Sequence, residues 1–200
     1  EALEWFYSVK TPHPPELSSL LERLAEVWVS EGYEDPAEEN RYLEHAREVL
    51  TVFYHANAGK FRMPVAVEQR FELDLGELVL TGKIDRMDRH PDGNYEILDY
   101  KTNRKLPPRD RLASDLQLPI YQHAASSLWG VTPGKLTFYY LLPNQKFSTR
   151  PWGEERLEEM LERLRGVARS IRSGAFDPTP NVLCPWCDFT ALCPRAPGTE

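Results

Sequence analysis

Apolar positions recur at helical spacing from Leu17 to Ser30. Leu17, Leu20, Leu21, Leu24, Val27 and Trp28 share one face, and the pattern predicts a helix stopped by Gly32. Residues 1–16 read as the tail of an element followed by an irregular connector, Thr11-Pro12-His13-Pro14-Pro15. Asp35-Pro36 opens a second helix, with Asp35 as N-cap, Pro36 at the first helical position and acids in the first turn. It should run to about Asn57 and end at Ala58-Gly59. The texture then changes. Val65 to Leu73 and Leu78 to Met87 are rich in β-branched and apolar residues, with a turn at Leu75-Gly76-Glu77 between them. His90-Pro91-Asp92-Gly93-Asn94 is a hairpin signal, and Tyr95 to Thr102 is the next strand. A basic loop from Asn103 to Arg111 precedes a helix over Ser114–Trp129, a buried-type strand over Leu136–Leu142 and a charged amphipathic helix over Glu154–Ser173. From Phe176 to Glu200 the chain is rich in proline and cysteine, without a regular pattern. The order predicts an α/β domain whose mixed central sheet begins as an antiparallel meander flanked by helices. We expect one compact unit: a helical part over 1–62, a core over 63–175 and a Cys-rich segment over 176–200.

Composition narrows the function. The 200 residues are 41% hydrophobic and 11% aromatic, enough for a core, and no apolar run reaches the roughly 18 residues of a membrane helix. No partner membrane is expected. No N-terminal stretch reads as a signal peptide, so a cytoplasmic location is expected. The chain opens at Glu1 rather than Met, which suggests a piece of something longer. The net charge of −7 argues against coating nucleic acid through a uniformly basic face. It is compatible with a carboxylate-rich metal site. The three cysteines, Cys184, Cys187 and Cys193, lie within ten residues, which is a poor disulfide framework and a good metal-ligand pattern.

The chemistry concentrates in Gly82-Lys83-Ile84-Asp85-Arg86-Met87-Asp88 and Ile97-Leu98-Asp99-Tyr100-Lys101-Thr102. Asp99 and Lys101 are two apart on a strand, so they leave the same face. A hairpin closed around Asp92-Gly93 sets Asp85 nearly opposite Asp99. Two close carboxylates repel unless a divalent cation lies between them. A lysine beside them can help deprotonate a metal-bound water and stabilise charge on a phosphate. A solvated surface pair is the competing reading of an isolated Asp-x-Lys. The apolar Ile97-Leu98 flank favours a buried strand instead.

These segments, followed by Gln117-Leu118-Pro119-Ile120-Tyr121, resemble the RecB-like nucleases of the PD-(D/E)XK superfamily. The resemblance implies a restriction-endonuclease-like core and metal-dependent hydrolysis of DNA. It implies that Asp85, Asp99 and the backbone carbonyl of Tyr100 bind Mg²⁺ or Mn²⁺, and that Lys101 is the catalytic lysine. Glu68 matches a glutamate that lies near the metal, with an exposed strand carboxylate as the equal alternative. Gln117 and Tyr121 are four apart, share a helix face, and would contact DNA or support the lysine. Arg104 and Lys105, beside Arg109 and Arg111 and with Arg86 nearby, form a local basic stretch where a phosphate backbone could dock.

The sequence departs from that pattern twice. Family members carry a metal-ligand histidine on an early helix, and Pro14 to Leu24 contains none. His13, His45 and His55 read as ordinary surface or packing histidines. Secondly, Cys184-x2-Cys187-x5-Cys193 matches the C-terminal trio of members that hold a 4Fe-4S cluster, whose fourth cysteine lies far upstream. No upstream cysteine exists here. By spacing alone, Cys-x2-Cys favours zinc, completed by a histidine or carboxylate. The resemblance favours an iron–sulfur staple in the intact protein, with a fourth ligand from outside this chain. In the chain as it stands, packing of Trp186 and Phe189 or a substitute ligand would then hold the tail down.

The expected function is thus a Mg²⁺- or Mn²⁺-dependent deoxyribonuclease, an exonuclease of DNA repair or recombination, with DNA as substrate and a helicase domain or subunit as partner. The alternatives are a DNA-binding module of the same fold with an impaired site, or a zinc-stapled interaction domain.

Overall fold

The computed structural model describes residues 1–195. Residues 196–200, the end of the expected Cys-rich segment, lie outside the described residues. A five-stranded sheet forms the centre, in the order β1 (Ala66–Asp74), β2 (Val79–Arg89), β3 (Tyr95–Lys101), β4 (Pro133–Tyr140), β5 (Gln145–Thr149). The first two pairings are antiparallel, β3–β4 is parallel and β4–β5 is antiparallel. The parallel pair needs a long crossover. The segment between its strands supplies one with the short helix α4 (Arg109–Ala113) and then α5 (Gln117–Trp129).

Helices cover both faces. On one, Leu118, Tyr121, Ala124 and Ala125 of α5 pack with Ile97, Leu136, Phe138 and Phe71 of the sheet. On the other, Phe6 and Tyr7 of α1 (Ala2–Ser8) meet Leu20 and Leu24 of α2 (Leu17–Glu26). Leu50 and Phe53 of α3 (Pro36–Asn57) complete that core against Tyr139 and Leu141. Phe6 and Phe53 are fully buried and their rings meet edge to face at 5.9 Å. Burying such side chains contributes on the order of 2–3 kcal/mol each. α6 (Glu154–Arg172) buries Met160 and Leu161, and its Arg169 pairs with Glu77 in the β1–β2 turn.

Local chemistry explains the elements. Asp35 accepts a hydrogen bond from the Glu38 N–H at 2.7 Å, and Pro36 follows it, so α3 starts where the cap signal lies. Gly93, at φ 86°, turns the β2–β3 hairpin. At Gly82 a Cβ would lie 2.5 Å from the Phe71 ring, so only glycine lets β2 carry that ring across its backbone.

Three differences from the sequence reading have physical causes. The first helix ends at Glu26, because Val27 already leaves helical geometry, well before Gly32. The basic loop contains α4 from Arg109. The polar segment Gln145–Thr149 forms the edge strand β5, whose alternating exposure carries only one aromatic, Phe147, as a signal. No helix among the described residues is long and apolar enough to cross a membrane.

Candidate active site

The β2–β3 ladder ends at Arg86↔Leu98, and one further step of the same register sets Asp85 against Asp99. The β1–β2 ladder pairs Val67↔Arg86 and Gln69↔Ile84 and omits the step between, where Glu68 faces Asp85. Glu68, Asp85 and Asp99 therefore form one transverse row across three strands, and both ladders are interrupted at that row. The interruption is visible in the backbone. Glu68 sits at φ 50°, a left-handed conformation uncommon for a residue with a long side chain. Ile84 and Met87, three apart on β2, both enter the same core, where strict alternation would separate them. The strand thus changes the face it presents at Asp85.

Asp99 is the most buried carboxylate of the row, 3% exposed as a side chain. Burial pushes its pKa up to about 6, Lys101 opposes the rise, and the Asp85 charge adds to it. Lys101 Nζ stands 2.7 Å from Asp99 Oδ2 as an ion pair without hydrogen-bond geometry, so Oδ2 is a buried oxygen with no donor. Lys101 Nζ donates instead to Gln117 Oε1 at 2.5 Å, and Gln117 Nε2 donates to the Tyr121 hydroxyl at 2.9 Å. Tyr121 is buried beside the same row, and burial first, then the nearby carboxylates, raise its pKa to about 12. It remains a neutral hydroxyl at physiological pH.

Asp85 accepts the Tyr100 N–H at 2.7 Å. Burial raises its pKa, that hydrogen bond opposes the rise, and the Glu68 charge reinforces it. Glu68 itself pairs with Lys83, which holds its carboxylate to one side. For that reason no three His, Cys, Asp or Glu side chains among the described residues stand grouped to hold a metal. Two carboxylates with raised pKa values and one donorless buried oxygen still fit a divalent cation, since Mg²⁺ commonly takes only one or two protein carboxylates and fills its shell with water and phosphate oxygens.

Glu68, Asp85, Tyr100 and Arg104 line one cavity of about 720 Å³. Lys105 is exposed on the same loop as Arg104. The early-helix histidine was expected on the stretch that forms α2. The cavity is walled by residues 1–4 at the start of α1, Leu24 of α2, and His45 and Val49 of α3. His45, read from sequence as an ordinary surface or packing residue, lines this cavity with a buried Nε2 that has no hydrogen-bond partner. Asp115 escaped the sequence reading, and Arg86 was read there as a basic residue near the phosphate-docking stretch, whereas it is buried and paired. Asp115 accepts the Gln117 N–H at 2.8 Å and starts α5 at the right place; an aspartate two residues ahead of the Gln-x-x-x-Tyr segment was the available signal. Arg86, 8% exposed, lies on the other face, stacked 3.8 Å over the Tyr7 ring and forked onto Asp88 at 2.7 and 2.6 Å.

The cysteines sit on two 3-10 turns, Cys184–Trp186 and Thr190–Leu192, and the residue after. All three thiols are free and line one cavity of about 510 Å³. They are not grouped as a metal site. Trp186 and Phe189 do not pack the tail down. They are 78% and 70% exposed, because the 3-10 turns are too short to aim them at the core.

The family model of the PD-(D/E)XK nuclease superfamily matches residues 1–194, and the chain belongs to that superfamily. A search of curated proteins finds no match. Among solved structures, one described as "Crystal structure of SSO0001" is similar at 18% identity, covering 90% of this chain and 95% of that one with a TM-score of 0.44.

Proposed function

We propose that the chain is a RecB-like, Mg²⁺- or Mn²⁺-dependent deoxyribonuclease, an exonuclease of DNA repair or recombination that works beside a helicase domain or subunit. Asp85, Asp99 and the Tyr100 carbonyl would hold the cation. When bound, it supplies a Lewis acid and a water of lowered pKa. Lys101 Nζ stabilises the charge that develops on the phosphate. Gln117 holds that ammonium in place, and Tyr121 holds Gln117. Glu68 stands beside Asp85 and completes the negative field of the row. Arg104 and Lys105 meet the phosphates of the bound strand.

One observation carries this reading: a buried carboxylate with a donorless oxygen, next to a lysine aimed by a glutamine. Burying such a charge costs several kcal/mol; the Lys101 ammonium 2.7 Å away offsets part of it, and a divalent cation would offset more. The test is cleavage of an end-labelled DNA strand with Mg²⁺, Mn²⁺ or chelator. Cleavage that survives chelation refutes the reading. Lys101→Ala should lower the rate while binding falls much less, because the lysine acts on transition-state charge. Equal losses in binding and rate would make it a phosphate anchor.

The RecB-like placement also rests on the cysteine trio. Cys184, Cys187 and Cys193 would be a structural staple for a 4Fe-4S cluster whose fourth ligand lies outside these 200 residues. Three thiols around one cavity, in a segment without strand or long helix, support it. Iron and sulfide analysis of the intact protein, with its visible spectrum, separates a cluster from zinc.

A further inference from the structure

On the α1–α3 face of the sheet, bordered by Tyr7 of α1 and Asn57 of α3, lies a second and larger cavity of about 870 Å³. Its floor comes from Arg86 and Asp88 of β2, Glu96 and Leu98 of β3, and Tyr139 of β4. Arg86 and Leu98 are the immediate neighbours of Asp85 and Asp99 in their strands, so this floor is the reverse side of the candidate active site. Its rim carries Lys60 and Arg62 ahead of β1, Arg89 at the hairpin and Lys146 on β5.

The charges divide into two groups. The floor is internally neutralised. Asp88 takes both prongs of Arg86. Glu96 is held by Lys135 at 3.0 Å, Thr137 at 2.5 Å and His90 at 2.9 Å. Asp92 keeps its negative charge at the cavity edge, hydrogen-bonded by the Asn94 N–H and amide within its own hairpin. The rim is not neutralised. Lys60, Arg62, Arg89 and Lys146 appear in none of the ion pairs among the described residues. Lys146 Nζ lies 4.6 Å over the Tyr139 ring, which leaves its donors open. Asn57 and Asn144 add amides on the same wall. Four unpaired cations around one concavity, in a protein of net charge −7, is a focused positive field in a negative molecule.

We infer that this cavity is a second, phosphate-binding site, distinct from the candidate active site and backed onto it through β2 and β3. A tetrahedral oxyanion suits cations that come from three separate segments around one concavity, and guanidinium forks with amides are its ordinary partners. The phosphate can belong to a nucleic-acid strand or be free in solution; the recognising chemistry is the same. The site holds whether or not the chain cleaves DNA, since binding is measured without divalent metal.

The experiment uses the whole chain in chelator, with a labelled single DNA strand and, separately, inorganic phosphate as probes. Arg62→Gln/Lys146→Gln changes two exposed side chains, so melting should stay at the wild-type temperature. Strand affinity should fall on the order of tenfold, and the salt dependence of log K should flatten by about 1.4, since each lost phosphate contact on a single strand removes about 0.7. If phosphate binds the wild type and not the variant, free phosphate is a ligand. If only strand binding drops, the strand is. Unchanged affinity for both probes overturns the proposal. Arg89→Gln, measured the same way, guards against a local effect of the double change and should weaken the same probe by a smaller factor. If the double variant weakens a probe but Arg89→Gln leaves it unchanged, the four-cation site is refuted.

Discussion

Asp85 and Arg86 are consecutive, yet the two polar clusters they belong to have opposite characters. The Arg86 cluster is closed. Its guanidinium meets Asp88, Tyr7 and the Tyr100 hydroxyl, and every charge has its partner within the fold. The Asp85 cluster is open. Two carboxylates are pushed toward their neutral forms by burial, one oxygen lacks a donor, and both flanking ladders break. A satisfied network rigidifies, whereas an unsatisfied one costs stability and persists where something else binds to it. The contrast separates structural from functional polarity in a single strand.

The largest effects should come from the open cluster. Asp85→Ala or Asp99→Ala should lower the rate of DNA cleavage on the order of a thousandfold or more while the fold survives, because each removes one of two repelling charges. Near wild-type cleavage by either variant would erase the distinction between the open and the closed cluster.

The closed cluster should answer oppositely. Arg86→Ala strands the Asp88 carboxylate, 16% exposed, and should destabilise by roughly 3–5 kcal/mol, read as a lower denaturant midpoint. An unchanged midpoint would mean that neither the fork onto Asp88 nor the stack on Tyr7 contributes to stability.

How much of this contrast could be read from the residues differs between its halves. That Asp85 lies nearly opposite Asp99 was legible from the Asp-Gly turn signal, but the register itself was not. A two-residue turn at Asp92-Gly93 would pair Asp85 with Tyr100, and the five-residue loop closed by Arg89↔Tyr95 shifts it by one. The same-face pairing of Gln117 and Tyr121 followed from helical periodicity. Arg86 could not be read this way. An arginine between two aspartates looks solvated, and only the stacking of Tyr7, seventy-nine positions earlier, buries it. Glu68 was visible as a strand carboxylate, but its left-handed backbone depends on how β1 and β2 settle against each other. β5 was missed for want of apolar residues, since an edge strand draws its pairing from its neighbour. The exposed Trp186 and Phe189 show the converse error, in which aromatic character stood in for a core that the short turns do not reach.

A pH titration sharpens the comparison further. The folded pKa of Asp99, about 6, lies above its unfolded value of about 3.9. The folded state therefore keeps a proton that the unfolded state has lost, and metal-free stability falls as pH rises through that window, then levels off. Asp99→Asn removes the penalty. Its thermal unfolding in chelator should match wild type near the acid end and exceed it above pH 6. The gain should reach at most about 3 kcal/mol, the free-energy equivalent of the gap between the folded and unfolded pKa. A constant offset across the whole range would assign the gain to packing instead.

The smallest effect belongs to the link between the clusters and α5. Gln117→Ala leaves Lys101 charged but no longer aimed, and should cost about tenfold in rate with strand affinity nearly unchanged. A loss in affinity of the same size would move Gln117 from positioning the lysine to contacting the strand.

The break at the Glu68–Asp85–Asp99 row also bears on motion. A sheet resists shear through its rungs, and here two neighbouring rungs are missing along one line. β1 pairs with β2 on both sides of the row, whereas the β2–β3 ladder stops there, with the Asp85–Tyr100 hydrogen bond reaching across at that point. That line is a built-in crease. Amide protons beside it should exchange with solvent sooner than those of Ile97 or Leu98 a few ångströms away. A cation gripping both carboxylates would clamp the crease shut, so slower exchange confined to this row would report its arrival before any bond is cut.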